Sequence, residues 1–208
     1  MNIGIIGTGN MGGNLAKLWA RKNHKIMVTS KDLKQSGEIA VQAGENVSVG
    51  SLKDVADFGE VIVFAFPYEA IDEVISKTGS FSGKIIIDII NPLTEDILGL
   101  KIGFNTSAAE EIAKKIPGAH VVKAINTIAS PVLERGNIEI DANTPTVFYC
   151  GDNEDAKSKV SKLISDIGFE PMESGPLTNA RYLEPMAEFI VQLAVTGLGA
   201  NIAYKILK

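Results

Sequence analysis

A glycine-rich hexapeptide near the start of the chain has the spacing of a phosphate-binding turn. It reads Gly7-Thr-Gly-Asn-Met-Gly12 and lies between the apolar run Asn2–Ile6 and a segment with helical spacing of apolar residues. In this pattern the first glycine permits a tight turn, the second lets the backbone approach a diphosphate, and the third lets the helix pack closely on its strand. The helix N-terminus adds free N–H groups and a partial positive charge, which favour an anionic dinucleotide. A turn with a purely structural role is the alternative. The residues predicted to hold the dinucleotide are Gly7, Thr8, Gly9, Asn10, Met11 and Gly12.

The end of the second apolar run indicates which dinucleotide binds. In NAD-binding folds an Asp or Glu at this strand end accepts hydrogen bonds from the ribose hydroxyls. Here Ser30 and Lys31 follow the strand and precede Asp32. A hydroxyl and an ammonium group can bind a 2′-phosphate, so the sequence predicts NADP rather than NAD. Two alternatives stay open: Ser30 could cap the next helix while Lys31 is solvated, or Asp32 could approach the ribose after a shift of two residues.

Two later segments place polar or aromatic groups at strand ends. Pro67 must end its strand, after which Tyr68 and Ile71 could flank the cofactor. Asn126 and Thr127 end another strand, and their amide and hydroxyl groups could orient a ring. The alternatives are that the aromatic residue belongs to the core and that the second segment is only a capped turn.

The residue types that usually carry acid–base or metal chemistry are sparse. The chain has two histidines: His24 is predicted at a helix–strand turn and His120 at the start of a strand, both remote from the carboxyl ends of the strands. Its one cysteine, Cys150, is predicted to be a buried strand residue with no metal-ligating neighbours. We therefore assign no catalytic acid or base and no metal site. Hydride transfer between juxtaposed rings, which needs little besides positioning, fits these residues best.

Short apolar runs alternate with helix-period segments along the chain, which predicts a Rossmann-type doubly wound α/β fold with a mostly parallel sheet. Residues 1–178 are predicted to form the nucleotide-binding domain, and 179–208 a small C-terminal helical extension that packs on the domain or on a dimer partner. Strands are predicted near 2–6, 25–29, 47–49, 60–66, 84–90, 120–125, 146–150 and 170–173. Helices are predicted near 10–22, 32–43, 51–58, 68–77, 106–116, 153–167 and from about 179 to 207.

Composition restricts the class of protein. With 45% hydrophobic residues, 22% charged residues and a net charge of -5, the 208-residue chain is expected to be globular and to lack the basic face that nucleic acid requires. We find neither a secretory signal nor the ~20 apolar residues of a membrane span, and therefore expect a cytoplasmic protein. A homodimer through the C-terminal helices is also expected.

The sequence resembles the deazaflavin-dependent NADP oxidoreductases, which pass hydride between NADP and the deazaflavin coenzyme factor-420. The resemblance extends over nearly the whole chain, and Ser30-Lys31 stands where that family carries Ser-Arg. It implies NADP contacts at Thr8 to Met11, Ser30, Lys31, Tyr68, Ile71 and Leu93. It also implies an acceptor site near Asn126, Thr127, Gly175, Pro176 and Leu177. The segments that carry it are Gly7–Gly12, Pro67-Tyr68-Glu69, Asn91-Pro92-Leu93, Lys123–Thr127, Cys150-Gly-Asp152 and Gly175–Arg181.

The sequence is also similar to the cytosolic NADPH:flavin domain of membrane metalloreductases, which shares the Asn126-Thr127 pair. The characterised deazaflavin enzyme instead has a histidine where this chain has Asn126. We therefore expect an NADPH-dependent reductase of a small-molecule acceptor, either a deazaflavin or an ordinary flavin. Two alternatives stay open. One is a non-enzymatic NADPH sensor that binds a partner, and the other is an imine reductase resembling pyrroline-carboxylate reductase.

Overall fold

The computed structural model describes residues 1–135, 139–140 and 142–207, and within them the strands form one eight-stranded sheet. Its strand order is β3-β2-β1-β4-β5-β6-β7-β8. The predicted α/β fold with a mostly parallel sheet is confirmed, and each predicted strand is present. The strands are β1 Asn2–Ile6, β2 Lys25–Thr29, β3 Val47–Val49, β4 Val61–Phe64, β5 Ile85–Asp88, β6 His120–Ala124, β7 Thr146–Gly151 and β8 Glu170–Glu173.

The helices cover both faces of this sheet. They are α1 Asn10–Ala20, α2 Leu33–Ala43, α3 Leu52–Phe58, α4 Ile71–Thr78, α5 Ala108–Lys115, α6 Ser130–Glu134, α7 Glu154–Asp166 and α8 Ala180–Leu193. Single 3-10 turns at Tyr68–Ala70 and Leu177–Asn179 precede α4 and α8. The short helix α6 was not predicted from the sequence, because five residues are too few for a periodic pattern.

The prediction that the C-terminal region is helical to about residue 207 is wrong. After α8 a widened turn spans Ala194–Leu198, and Gly197 within it has a φ of 124° that no helix tolerates. The following segment returns to the sheet, where the carbonyl of Tyr204 accepts a 2.9 Å hydrogen bond from the N–H of Thr146 at the start of β7. Lys208, the last residue of the predicted extension, lies outside the described residues.

Two apolar clusters sandwich the sheet because successive side chains of a strand point to opposite faces. Ile3 and Ile5 of β1 pack against α1, α6 and α7, whereas Ile6 belongs to the cluster beneath α3, α4, α5 and α8. The central strands β4 and β5 are buried at all their positions, as their continuous apolar sequences predict. Trp19 joins α1 to α7 by donating a 2.9 Å hydrogen bond to the carbonyl of Leu163.

The direction of the strands decides which loops can meet. Strands β1 to β6 are mutually parallel, so their carboxyl ends lie at one edge of the sheet, called here the carboxyl edge. Strand β7 runs antiparallel to β6, with Lys123 opposite Cys150, and β8 is parallel to β7. The loops that follow β7 and β8 therefore lie toward the amino ends of the other strands.

Helix α8 buries one side and exposes the other. Leu183, Ala187 and Ile190 are buried, whereas Tyr182 and Phe189 are more than half exposed. The homodimer through this region stays a prediction, as does the domain division at residue 178. In the described part of the chain, no helix combines the length and the apolar character that crossing a bilayer would need.

Candidate functional site

The glycine turn has the geometry that its sequence predicts. Gly7 leaves β1 with a φ of 105°, and its N–H donates a 2.7 Å hydrogen bond to the carbonyl of Thr29. A Cβ atom on Gly7 would lie 2.0 Å from the carbonyl oxygen of Ala65, and one on Gly12 would lie 2.0 Å from the carbonyl oxygen of Gly7. These positions accept only glycine, because α1 and β4 approach the turn too closely for a side chain.

Gly9 differs from Gly7 and Gly12 because the space that a side chain would occupy at this position is empty. It caps α1 with extended backbone angles, φ -65° and ψ -169°, and an added Cβ would meet no atom within 4 Å. Neither the backbone nor the packing of the described residues requires glycine at this position. A free space beside the N-terminus of a helix is the cradle that a diphosphate group fills, so the residues present fit a dinucleotide.

A cleft of about 660 Å³ opens from this turn along the ends of β1, β2 and β4. Of the predicted cofactor residues, Gly7, Thr8, Gly9, Ser30, Lys31 and Pro67 line it. Sequence reasoning missed several further lining residues, most of which depend on how α2, α3 and α4 dock beside the sheet. These are Ile6, Gln35, Leu52, Ala65, Phe66, Glu69, Ala70, Glu73, Val74 and Lys77. Asp32, considered above as a ribose contact, also lines the cleft.

A network of hydroxyl groups lies at the base of the cleft. The Oγ1 atom of the buried Thr8 is 2.9 Å from Ser30 Oγ and 3.2 Å from Ser36 Oγ. Ser30 Oγ donates to the carbonyl of Asp32 at 2.8 Å and lies 2.8 Å from Ser36 Oγ. Since a hydroxyl group can rotate its proton between acceptors, Ser30 can turn from the carbonyl of Asp32 toward a ligand without moving its oxygen atom.

The alternative role of Ser30 as a helix cap is wrong, because Asp32 takes that role. Asp32 is the N-cap of α2, and its Oδ1 atom accepts a 3.0 Å hydrogen bond from the N–H of Gln35. A carboxylate engaged in a cap has one oxygen fewer for a ribose hydroxyl. This arrangement weakens the NAD alternative based on Asp32.

Lys31 reaches across the mouth of the cleft. Its ammonium group lies 2.8 Å from one carboxylate oxygen of Glu73 on α4, and Lys77 lies 2.9 Å from the other. Hydrogen bonds from Lys31, and then from Lys77, lower the pKa of Glu73 to about 2. We name these three residues the rim triad. The pair Glu73 and Lys77, four residues apart on α4, was a detectable signal in the sequence.

Six predicted cofactor residues are not part of the cleft lining, namely Asn10, Met11, Gly12, Tyr68, Ile71 and Leu93. Tyr68 and Ile71 line a separate hollow of about 260 Å³ with Lys101 and Lys115, and Ile71 is also part of the core. Burial raises the pKa of Tyr68 above 10.0. Leu93 forms an isolated bridge with Leu100 in the loop after β5. Asn10 and Met11 begin α1 behind Gly9.

A second polar site forms where β5 and β6 end at the carboxyl edge. The side chains of Asn91 and Asn126 hydrogen-bond at 3.0 Å, and Asn91 also donates to the carbonyl of Asn126 at 2.9 Å. Asn126 donates a further 2.8 Å bond to the carbonyl of Leu183 on α8. The loop after β5, the loop after β6 and helix α8 are thereby tied together.

Asn126 is held by strained backbone. The preceding residue, Ile125, is fully buried and has a φ of 63°, a left-handed conformation that is rare for a β-branched side chain. Asn126 Oδ1 and Thr127 Oγ1 are buried polar atoms without a hydrogen-bond partner among the described residues. Buried polar atoms are nearly always paired, so these two atoms have hydrogen-bonding capacity that the described residues do not use.

A buried ion cluster lies beneath the amide pair. Lys123 Nζ is 3.0 Å from Asp88 Oδ2 and 2.9 Å from Glu184 Oε1, and all three side chains are inaccessible to solvent. Glu184 also accepts hydrogen bonds from the N–H groups of Ala108 and Ala109 at the start of α5. Burial raises the pKa of Glu184 above 4.5, although Lys123 opposes this effect. Asp88 and Lys123 fall within predicted strands, whereas Glu184 was missed, because an acidic residue in a helix looks like a solvated one.

The structure does not bring Gly175, Pro176 and Leu177 to Asn126 and Thr127. The carbonyl of Gly175 accepts a hydrogen bond from the N–H of Gly151 at the end of β7, and Leu177 lines a hollow with His120 at the start of β6. The predicted acceptor site is therefore divided between the two edges of the sheet. The reason is the antiparallel direction of β7, which no residue pattern indicated.

The two histidines and the cysteine, also considered for chemistry, lie away from the cleft. His24 Nε2 is 3.0 Å from Asp166 and His120 begins β6, so both lie at the edge opposite the cleft. Cys150 is buried in β7, and burial raises the pKa of its thiol to about 12. A thiol with such a pKa is not a nucleophile at neutral pH.

The model of the family described as "NADP oxidoreductase coenzyme F420-dependent" matches residues 2–92. This segment contains the glycine turn, the residues that line the cleft, and Asn91. Over these residues the chain resembles that family of NADP-dependent oxidoreductases. The resemblance inferred from the sequence is thereby confirmed.

Relatives and solved structures extend the similarity beyond this segment. Metalloreductase STEAP3 of Rattus norvegicus is 29% identical over 182 residues, and STEAP2 of Homo sapiens is 24% identical over 185; each match covers 88% of this chain. The chain spans only 35% of the length of these relatives. A candidate F420-dependent NADP-reductase of known structure from Arthrobacter sp. FB24 is 25% identical, covers both chains fully and has a TM-score of 0.89. A reductive aminase from Aspergillus terreus in complex with NADPH and ethyl levulinate has a TM-score of 0.70 at 14% identity. The match covers 94% of this chain and 62% of the aminase, and it indicates a shared fold.

Proposed function

We propose that this protein is an NADPH-dependent oxidoreductase that transfers a hydride between the nicotinamide and a deazaflavin or flavin-type acceptor. The observation that carries the proposal is the glycine turn at the start of α1, which opens into the cleft with a free space beside Gly9. The family match over residues 2–92 supports the same conclusion.

The adenosine end of the cleft supports NADP as the cofactor. Ser30 can redirect its hydroxyl proton, and Lys31 and Lys77 present ammonium groups at the mouth. Charge-assisted hydrogen bonds of about 1.5–3 kcal/mol each would favour a 2′-phosphate over a 2′-hydroxyl. The Aspergillus terreus structure contains NADPH in a similar fold, which is consistent with this choice.

The polar groups at the carboxyl ends of β5 and β6 support placing the nicotinamide end of the cofactor there. Asn126 Oδ1 can accept a hydrogen bond from a carboxamide or ring N–H, and Thr127 Oγ1 can donate or accept one. We therefore keep Asn126 and Thr127 in the acceptor site and leave out Gly175, Pro176 and Leu177, which the structure places elsewhere.

The side chains of this edge bind and orient rather than exchange protons. When bound, NADPH supplies a hydride and becomes NADP⁺, while the acceptor gains that hydride and a proton from solvent. The chain's own task is to hold two rings together and exclude water, a contribution that positioning alone can make. The buried ion cluster fixes α8 against the edge and thereby holds Asn126 in place.

Stopped-flow oxidation of NADPH against deazaflavin, FMN, FAD, quinones and imines tests the proposal. We expect rapid oxidation with deazaflavin or a flavin and slow or no oxidation with quinones and imines. Preferential reduction of imines would replace this proposal by an imine reductase. Tight NADPH binding without oxidation by any of these acceptors would replace it by an NADPH sensor.

Lys31→Glu is expected to weaken NADPH binding by about tenfold or more while NADH binding changes by less than about threefold. The variant removes a charge-assisted bond to the 2′-phosphate and places a second carboxylate beside Glu73. Titration of the reduced cofactors by fluorescence measures both constants. Equal losses for the two cofactors would contradict the NADP assignment.

A further inference from the structure

The rim triad joins two walls of the cleft. Lys31 follows β2, whereas Glu73 and Lys77 lie one helical turn apart on α4, and all three line the cleft. The carboxylate of Glu73 uses one oxygen for each lysine, at 2.8 and 2.9 Å. Both cations that face the predicted 2′-phosphate position are thus already paired with an internal anion.

The contacts of Glu73 with the two lysines are easily exchanged for contacts with a ligand. The side chains are 76% exposed for Lys31, 44% for Glu73 and 59% for Lys77, so water screens the triad and can replace each of its bonds. A phosphate group carries more negative charge and more acceptor oxygens than a carboxylate, so it can take both lysines from Glu73. Glu73 stays ionised during this exchange, since its pKa of about 2 is far below neutral pH.

Other charged residues along the cleft affect how strongly Glu73 competes with a phosphate group for the two lysines. Asp32 and Glu69 also line it, so the acidic groups of the lining outnumber Lys31 and Lys77 when Glu73 is counted with them. Asp32 is partly engaged as a helix cap, and Glu69 is paired with Lys101. Glu73 is the carboxylate in direct contact with both cations.

We propose that Glu73 sets the discrimination between a 2′-phosphate and a 2′-hydroxyl, by competing with the phosphate for Lys31 and Lys77. The inference rests on the proposed NADP site, and it adds Lys77 as a second phosphate-binding residue. Glu73 lowers the preference for NADP below the value that the two lysines alone would give. Its carboxylate can also accept a hydrogen bond from a ribose 2′-hydroxyl, which supports residual NAD binding.

Calorimetric titration with adenosine 2′,5′-bisphosphate and with 5′-AMP tests the proposal without the nicotinamide end. Glu73→Gln keeps the shape of the side chain but removes its charge. We expect it to bind the bisphosphate about three- to tenfold more tightly and to change 5′-AMP binding by less than about twofold. Lys77→Met is expected to weaken bisphosphate binding by a similar factor and to leave 5′-AMP binding unchanged.

Asp57→Asn is the matched control, because Lys53 and Asp57 form an exposed i,i+4 pair like that of Glu73 and Lys77 but do not line the cleft. It should change neither titration. If Glu73→Gln leaves the ratio of the two affinities unchanged or lowers it, while the unmodified chain prefers the bisphosphate, this inference is wrong and the NADP site stands. If the unmodified chain binds neither probe nor NADPH, both proposals are wrong.

Discussion

Lys123→Met is expected to lower the free energy of unfolding by about 3–5 kcal/mol. The substitution leaves Asp88 and Glu184 buried near one another without the cation that lies between them. Removing one partner of a buried ion cluster is costly because the remaining charge is neither solvated nor paired. Urea denaturation at neutral pH, followed by circular dichroism, measures the loss.

The pH dependence of this loss separates the ion cluster from simple packing. Without Lys123, a carboxyl group in the cluster should have a folded-state pKa raised further above its unfolded value. A raised folded pKa gives stability that is present at low pH and lost as the pH rises through it. The deficit of Lys123→Met should therefore be smaller at pH 5 than at pH 8.

Lys53→Met makes the same substitution in an exposed ion pair, where both partners are about two-thirds exposed. Its expected cost is small at either pH, because water screens an exposed ion pair. If Lys123→Met cost as little as this control, or if its deficit did not vary with pH, the structural importance assigned to the buried cluster would be wrong.

Gly9→Ala is expected to weaken NADPH binding by about ten- to a hundredfold, with little change in stability. The extended backbone at Gly9 suits any residue, and an added Cβ meets no atom of the described chain within 4 Å. The methyl group would instead occupy the space that the proposed diphosphate needs. Calorimetric titration with NADPH and a thermal melt of the free protein measure the two effects.

Gly12→Ala provides the contrast on the same helix. Its Cβ would lie 2.0 Å from the carbonyl oxygen of Gly7, so the turn must shift and the free protein should melt at a clearly lower temperature. Gly9→Ala should not show this effect. Unchanged NADPH affinity in a stable Gly9→Ala protein would refute the diphosphate cradle.

Local sequence patterns determined the elements of the sheet. The runs at β4 and β5 are apolar at every position, and such strands fit only the middle of a sheet that helices cover on both faces. The glycine turn was equally predictable, because the positive φ of Gly7 and the close approach of Gly12 to the carbonyl of Gly7 both lie within one βα unit. In both cases the information lies within a few consecutive residues.

The end of the chain shows where local patterns fail. Its apolar residues predicted a helix to about 207, but two glycines end the helical region after Leu198 and the tail bonds to the start of β7. The weak helix propensity of those glycines was visible in the sequence, whereas the alternative partner on β7 was not.

The sequence by itself determined the α/β fold, the phosphate-binding turn and the position of Ser30 and Lys31 beside it, because strand, turn and helix are adjacent along the chain. Only the tertiary structure decided which distant residues share a site. It placed Glu73 and Lys77 against Lys31, Glu184 against Lys123, and Leu177 away from Asn126. These relations depend on how helices dock on the sheet and on the direction of β7, and both are decided by the packing of the whole core rather than by any short segment.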